Sequence, residues 1–382
     1  MDLASPLKAI DLFCGAGGLS LGLTRAGFEV VVAADKWGPA AASYRLNFPD
    51  HVLVETDLGE LRPQELLDAA GIEPGEVDLV AGGPPCQGFS IQRIGSDADA
   101  RNSLVLKFGE IVAKVRPKMF LMENVPGLLG KRGHELAEAF RAAMVAAGYD
   151  VRSEIVDAAD YGVPQHRRRV VFFGWRRDDV RPFETPAPVV APSEYRTVKE
   201  AISDLPRVPA DCSPHPLDEL HRRMRISALN QERLKHIPPG GGFEDLPVEL
   251  RVDCHKAGAA LIGHRYVYGR LHPDEPAATI TARFDSFTRG KFAHPSEDRN
   301  ISLREGARLQ SFPDEHRFVG TQEEIAALIG NAVPPLLGEH LAAAIARHLS
   351  VVAPAARAQR RAAHPQLSLF DSAGEGTFAS DG

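Results

Sequence analysis

The 382-residue chain holds only four cysteines, Cys14, Cys86, Cys212 and Cys254, and no two of them stand as C-x-x-C. That argues against a zinc ribbon and against a disulfide framework. Cys254-His255 with His264 downstream comes nearest to a ligand set, but the spacing is poor for zinc, so no metal is expected. No apolar run is long enough to span a bilayer. The opening MDLASPLKAIDLFCG lacks a basic segment followed by an apolar one, so no secretory signal is read and a cytoplasmic protein is expected. No internal repeat is found. Positive charge is in deficit, with 44 Lys and Arg against 51 Asp and Glu, a net charge of -7. That sign argues against a nucleic-acid partner unless the basic groups cluster. They do: QHRRRVVFFGWRRDDVR (165–181) carries six arginines against two aspartates, and HRRMR (221–225) and RAQRR (357–361) follow the trend.

What is present is ordinary for a globular protein: 44% hydrophobic and 25% charged residues. The length suits one large domain plus a smaller one. KAIDLF (8–13), EVVVAAD (29–35), HVLVETD (51–57), VDLVAGG (77–83) and KMFLMENV (118–125) read as strands, and VRSEIVD and VVFFGW close the series. Between them SLGLTRAG, PAAASYRLNF, LVLKFGEIVAKV (104–115) and HELAEAFRAAMVAAG (134–148) carry helical spacing. Such alternation means an α/β fold with a doubly wound, mostly parallel sheet over residues 1–190. Past residue 190 proline becomes dense and periodicity fades, so 191–320 reads as a smaller, irregular domain. Helical spacing returns in a segment at 321–349 expected to pack back on the first domain. Residues 350–382 are expected to lack fixed structure.

The chemistry gathers at strand ends. DLFCGAGGLSLG (11–22) joins the first strand to the first helix, and Gly15, Gly17 and Gly18 let a ligand approach the backbone at a helix N-terminus. Asp35 ends the second strand, where an acidic side chain reaches ribose hydroxyls; Asp57 ends the third and is placed to receive an adenine. A dinucleotide fingerprint would need glycine or alanine where Ser20 stands, so an adenosyl cofactor is favoured over a nicotinamide one. In GGPPCQGFS (82–90), after the fourth strand, prolines and glycines stiffen the loop around Cys86, as a nucleophilic thiol requires. Cys14 has no such constraint and reads as a small buried residue. Glu123, in ENVPG after the fifth strand, enters the same crevice as a candidate acid. In QHRRR (165–169) alternation turns Gln165, Arg167 and Arg169 one way and Arg168 the other.

DLFCGAGGLS, GGPPCQGFS, ENVPGLL, YGVPQHRRRVVFFG, LREGARLQSFPD and IGNAVPPLLGEHLAAAI occur in the order of the signature blocks of the DNA cytosine-C5 methyltransferases, across residues 8 to 345. The chain therefore resembles that family. The resemblance implies a Rossmann-like methyltransferase fold whose first domain is catalytic and whose second is a variable target-recognition domain. It implies S-adenosylmethionine as cofactor, S-adenosylhomocysteine as product, and double-stranded DNA as partner. The implied cofactor positions are Phe13, Gly15, Ala16, Gly17, Gly18, Leu19, Asp35 and Lys36. Asp57, Leu58 and Pro84 extend them, and Asn331 and Ala332 approach from the returning segment. Cys86 matches the nucleophile, Glu123 the base-contacting acid, and Arg167 and Arg169 the arginines around the target base. The implied reaction is thiolate attack at C6 of a flipped-out cytosine, protonation at N3 by Glu123, methyl transfer to C5, loss of the C5 proton and release of Cys86. Base flipping costs a few kcal/mol. An enzyme of the same family acting on tRNA is the alternative; it is disfavoured because the Cys-Phe-Thr tripeptide usual in that branch is missing here.

Further DNA contacts are expected at Gln87, Ser90 and Gln165. TITARFDSFTRGKF (279–292) lies at the seam between the two domains, and its Arg283, Arg289 and Lys291 are candidates for phosphate contacts, with a plain amphipathic strand as the bland reading. In the tail, QLSLF (366–370) resembles the motif by which bacterial proteins dock on the replicative sliding clamp, through Gln366, Leu367, Leu369 and Phe370. A monomer, nucleoid-associated when on DNA, is expected. The recognised DNA site is not readable, because a few side chains on irregular loops decide it.

Overall fold

The structure, a computed structural model, describes residues 5–85, 103–252 and 267–363, with side chains placed in 5–85, 104–252 and 267–350. Cys86, Gln87, Ser90, the Cys254, His255 and His264 set, and the tail residues Gln366, Leu367, Leu369 and Phe370 lie outside the described residues.

Seven strands form one sheet: β1 (Leu7–Leu12), β2 (Phe28–Asp35), β3 (Leu53–Glu55), β4 (Leu79–Gly82), β5 (Met119–Asn124), β6 (Tyr149–Asp157) and β7 (Arg168–Arg176). Their order is β3-β2-β1-β4-β5-β7-β6. β7 runs antiparallel to both of its neighbours; all other pairings are parallel. The helices are α1 (Gly18–Arg25), α2 (Gly38–Asn47), α3 (Pro63–Ala70), α4 (Ser103–Val115) and α5 (His134–Ala146). Strands this apolar fit a sheet covered on both faces. Ala9 of β1 belongs to one apolar cluster and Ile10 and Leu12 to the other, so successive side chains feed opposite cores. Order reversal between β1 and β4 creates a crevice at the strand C-termini, where ligands of such sheets bind.

The smaller module holds short helices α6 (Val198–Ile202) and α7 (Ala228–Lys235) and a two-stranded sheet of β8 (Gly269–Arg270) and β9 (Lys291–Ala293). Then come α8 (Leu303–Leu309), α9 (Gln322–Asn331) and α10 (Pro335–Ala363). TITARFDSFTRGKF forms turns and a short 3-10 segment before β9 rather than one amphipathic strand. A third apolar cluster joins Ile280, Phe284, Leu309 and Ile329 to Ala16 and Ala40 of the sheet half. Leu337, Leu341, Ile345 and Leu349, four residues apart, place one stripe of α10 on Leu19 and Leu23 of α1. α10 then continues to Ala363, which corrects the expectation of an unstructured chain from residue 350. Six of residues 350–363 are alanine, the best helix former, so the segment expected to lack fixed structure carries helix propensity.

Candidate active site

A cavity of about 610 Å³ opens where β1, β2, β4 and β5 end and the antiparallel β7 begins. The Gly-rich turn forms its floor. Phe13 adopts φ 59°, a strained conformation for an aromatic residue, and its ring lines the cavity. The Gly15 N–H donates to Asp35 Oδ2 at 2.9 Å and the Trp37 N–H to Oδ1 at 2.9 Å, so Asp35 locks the turn that it flanks. Burial raises the Asp35 carboxyl above its ordinary range, with these donors opposing. Gly18 permits a close approach: a Cβ there would stand 2.5 Å from the Val333 carbonyl oxygen. That contact brings Asn331, Ala332 and Val333 onto the cavity wall beside Leu19, Lys36 and Leu58. Lys36 Nζ donates to Asp57 Oδ2 at 2.8 Å and the Gly59 N–H to Oδ1, which hold Asp57 below the usual carboxylate range. Ala16 and Gly17 do not reach the wall. Ala16 is buried with its carbonyl accepting from His316, and Gly17, at φ 90°, caps α1 against Phe48.

Sequence reasoning missed Asp11. Its carboxyl is fully buried and lines the cavity; Oδ2 accepts from Ser20 Oγ at 2.6 Å, while Oδ1 has no hydrogen-bond partner. Burial pushes its pKa up to about 7, with Ser20 opposing and Asp35 adding to the rise. The available signal was an aspartate inside an apolar strand, a placement that needs a partner or a ligand. Ser20, in the place of a third glycine, thus serves Asp11 and not a pyrophosphate. Cys14 is buried and its thiol is driven well up by burial, then by Asp11 and Asp35, which leaves it an inert thiol.

Opposite the Gly-rich turn lies a charged pair. Glu123 Oε1 stands 2.8 Å from Arg169 Nε, an ion-pair approach out of line for a hydrogen bond, with both side chains mostly buried. Asn124 donates from Nδ2 to the Pro84 carbonyl at 3.0 Å, tying the end of β5 to the loop two residues before Cys86. Pro84 itself lines the cavity. Alternation in 165–169 holds: Gln165 and Arg167 are buried, Arg168 is exposed, and Arg169 reaches the cavity.

The expectations for four site residues are corrected here. Gln165 is not on a DNA surface: it is wholly buried, donating to Leu309 O and Gln310 Oε1 and accepting from the Ile280 N–H. Arg167 touches the cavity, but its guanidinium donates to Ile280 O at 3.0 Å and Ala332 O at 2.9 Å, clamping the module and the segment after α9 onto β7. Burial, reinforced by Arg169 and opposed by Glu123, pulls it well below the ordinary guanidinium range. Arg283 pairs with Asp285 at 3.0 Å and Glu323 at 3.3 Å, and Lys291 Nζ donates to Gly240 O, so neither is a free phosphate ligand. Arg289 is exposed and makes no ion pair among the described residues.

Residues 7–347 match the family model described as C-5 cytosine-specific DNA methylase. The Type II methyltransferase M.AgeI of Thalassovita gelatinovora is 35% identical to the chain, with 89% of this chain and 99% of that protein covered. The Type II methyltransferase M1.HphI of Haemophilus parahaemolyticus is 38% identical, with 89% and 86% covered. Among solved structures, a putative DNA modification methyltransferase encoded within an E. coli prophage superposes with a TM-score of 0.69 at 27% identity, covering 90% of this chain and 99% of that one.

Proposed function

The chain belongs to the C-5 cytosine-specific DNA methylases, and from that premise we propose how its residues carry out the methylation of cytosine C5 in duplex DNA. The observation that carries the reading is that one cavity is lined both by the Gly-rich turn with Asp11, Asp35 and Asp57 and by the Glu123–Arg169 pair. S-adenosylmethionine fits the first set: an adenosyl group suits Phe13 and Asp57, and its ammonium group suits the unpartnered Asp11 Oδ1. When bound, it supplies a methyl group on a positively charged sulfur.

The base-handling work falls to the second set. Cys86, two residues beyond Pro84, attacks C6 of the flipped cytosine and makes C5 nucleophilic. Glu123 delivers a proton toward N3 as charge enters the ring. Arg169 holds that carboxyl in place and favours the thiolate form of a nearby cysteine. Asn124 fixes the start of the Cys86 loop through the Pro84 carbonyl. After transfer, loss of the C5 proton expels the thiol. The module at 191–320 holds the opened duplex, with Arg289 as a phosphate contact. The Type II methyltransferase relatives support DNA over tRNA as substrate.

The test is base-resolution methylation sequencing of unmethylated plasmid after incubation with enzyme and S-adenosylmethionine, with Cys86→Ser as control. Methyl groups at one short motif, lost in the variant, are expected. Methylated tRNA and untouched plasmid would overturn the substrate reading.

A further inference from the structure

A continuous line of hydrogen bonds leaves the floor of the cavity. Asp11 Oδ2 bonds Ser20 Oγ at 2.6 Å, Ser20 Oγ bonds Tyr44 Oη at 2.8 Å, and Tyr44 Oη bonds His51 Nδ1 at 3.0 Å. The first three residues are wholly buried, whereas His51 is half-buried, its ring stacked on Phe48 at 4.9 Å. β1, α1, α2 and the loop after α2 each contribute one member.

We propose that Asp11 receives the ammonium group of the bound cofactor and gives up a proton as it does so, and that Ser20, Tyr44 and His51 form the path by which this proton leaves. This rests on the functional reading above and adds to it the regulation of cofactor binding by pH. Every group in the chain carries both a donor and an acceptor, so it has two consistent arrangements. In one, Asp11 carries a proton and donates to Ser20, Ser20 to Tyr44, and Tyr44 to His51 Nδ1. In the other, all three bonds run in reverse and Asp11 is ionised. The passage from the first to the second moves one proton from Asp11 onto His51 Nδ1, and His51 releases one from Nε2 to solvent. The proton count balances, and no other reactant is needed. Burial lowers His51 below the ordinary histidine range, so the proton does not stay there.

The groups facing the Asp11 carboxyl fit this account. Burial and then Asp35 raise its proton affinity, and only Ser20, through its hydroxyl and its backbone N–H, opposes. Among the described residues no cation pairs with it, and Oδ1 is left for one. A buried carboxyl without a partner prefers its proton; an ammonium ligand reverses that preference.

The experiment is calorimetry of S-adenosylhomocysteine binding to the full chain in buffers of differing protonation enthalpy. It is paired with stopped-flow detection of released protons by an indicator dye. At pH 6 about one proton is released per cofactor, falling toward zero above pH 8, because the empty-site carboxyl titrates at about 7. Asp11→Asn releases none and weakens binding about 10- to 100-fold, while the affinity for an analogue lacking only the amino group barely changes. Tyr44→Phe keeps the ring and the packing, and its release lags behind binding; His51→Gln cuts the chain at its outer end with the same result. Wild-type binding without proton release, or equal losses for both ligands in Asp11→Asn, overturns the assignment of Asp11. Release in step with binding in both Tyr44→Phe and His51→Gln overturns the path. No binding of S-adenosylhomocysteine by the wild type contradicts the functional reading itself.

Discussion

In the sheet half Val32, Val80, Phe120 and Phe172 are wholly buried, and the two cores beside the sheet are built almost entirely from such side chains. In the smaller module the large buried side chains include Arg299 and Arg270. Arg270 alone donates to the carbonyls of Leu234, Ile237, His294 and Glu297 and to Asp298. Arg299 meets Glu305 at 2.8 Å with both side chains buried, and Glu297 at its edge. The first half gains its shape from non-directional burial spread over many residues. The second, with little regular structure to satisfy its own carbonyls, satisfies them with a few arginines. A sheet built this way holds a cavity rigidly. An irregular module built this way can vary its surface, provided the arginines keep their acceptors.

That contrast can be broken at defined places. Cys86→Ser is expected to lower methylation on the order of 10³-fold or more while leaving the melting temperature unchanged, as measured by a radiolabelled methyl-transfer assay and by calorimetry. Arg299→Met should do the reverse: an uncompensated Glu305 carboxylate in the module costs about 3–5 kcal/mol, seen as an early, separate unfolding transition. Glu123→Gln should lower the methyl-transfer rate about 10²-fold with cofactor affinity retained, since it sits across the cavity from the Gly-rich turn. Acid should find the module first. Burial lowers the His294 pKa to about 4, so the fold holds a neutral imidazole and loses stability as pH falls below the unfolded value of about 6.5. Glu305, held at about 2 by Arg299 against the cost of burial, adds a loss as pH falls from the ordinary carboxylate range toward 2. Hydrogen exchange across pH 7 to 4 should show the 290–305 region opening before the sheet. The smallest effect is expected at Arg289→Ala, which should reduce the salt slope of DNA binding by about one, the contribution of a single phosphate contact.

How much was legible follows the same division. The strands of the sheet half announce themselves by β-branched runs between glycines, and all seven form where read. β3 is shorter than read, Leu53–Glu55, which leaves Asp57 on a turn held by Lys36. The reversal of β7 was not legible, because strand direction is set by a partner and not by local pattern. Gln165 and Arg167 show the limit most clearly. Alternation gave their facing correctly, but the groups they bond, at Ile280, Leu309 and Ala332, stand more than a hundred residues away. Arg283 and Lys291 fail for a related reason, at shorter range: the sequence shows their charge, and only the fold shows that the Asp285 carboxylate and the Gly240 carbonyl already hold them. Asp11 stood in plain view in KAIDLF, but its importance rests on an oxygen left without a partner, which no sequence pattern records.

The central claim is that one cavity brings the cysteine loop, Glu123 and the cofactor turn together on a cytosine. It is tested most directly by incubating the enzyme and S-adenosylmethionine with duplex DNA carrying 5-fluorocytosine, where the fluorine cannot leave as a proton does. The account predicts a covalent protein–DNA complex that survives denaturation, depends on S-adenosylmethionine, and maps by peptide mass to Cys86. A complex mapped to another residue, or none on DNA that the enzyme methylates in its ordinary form, would contradict it.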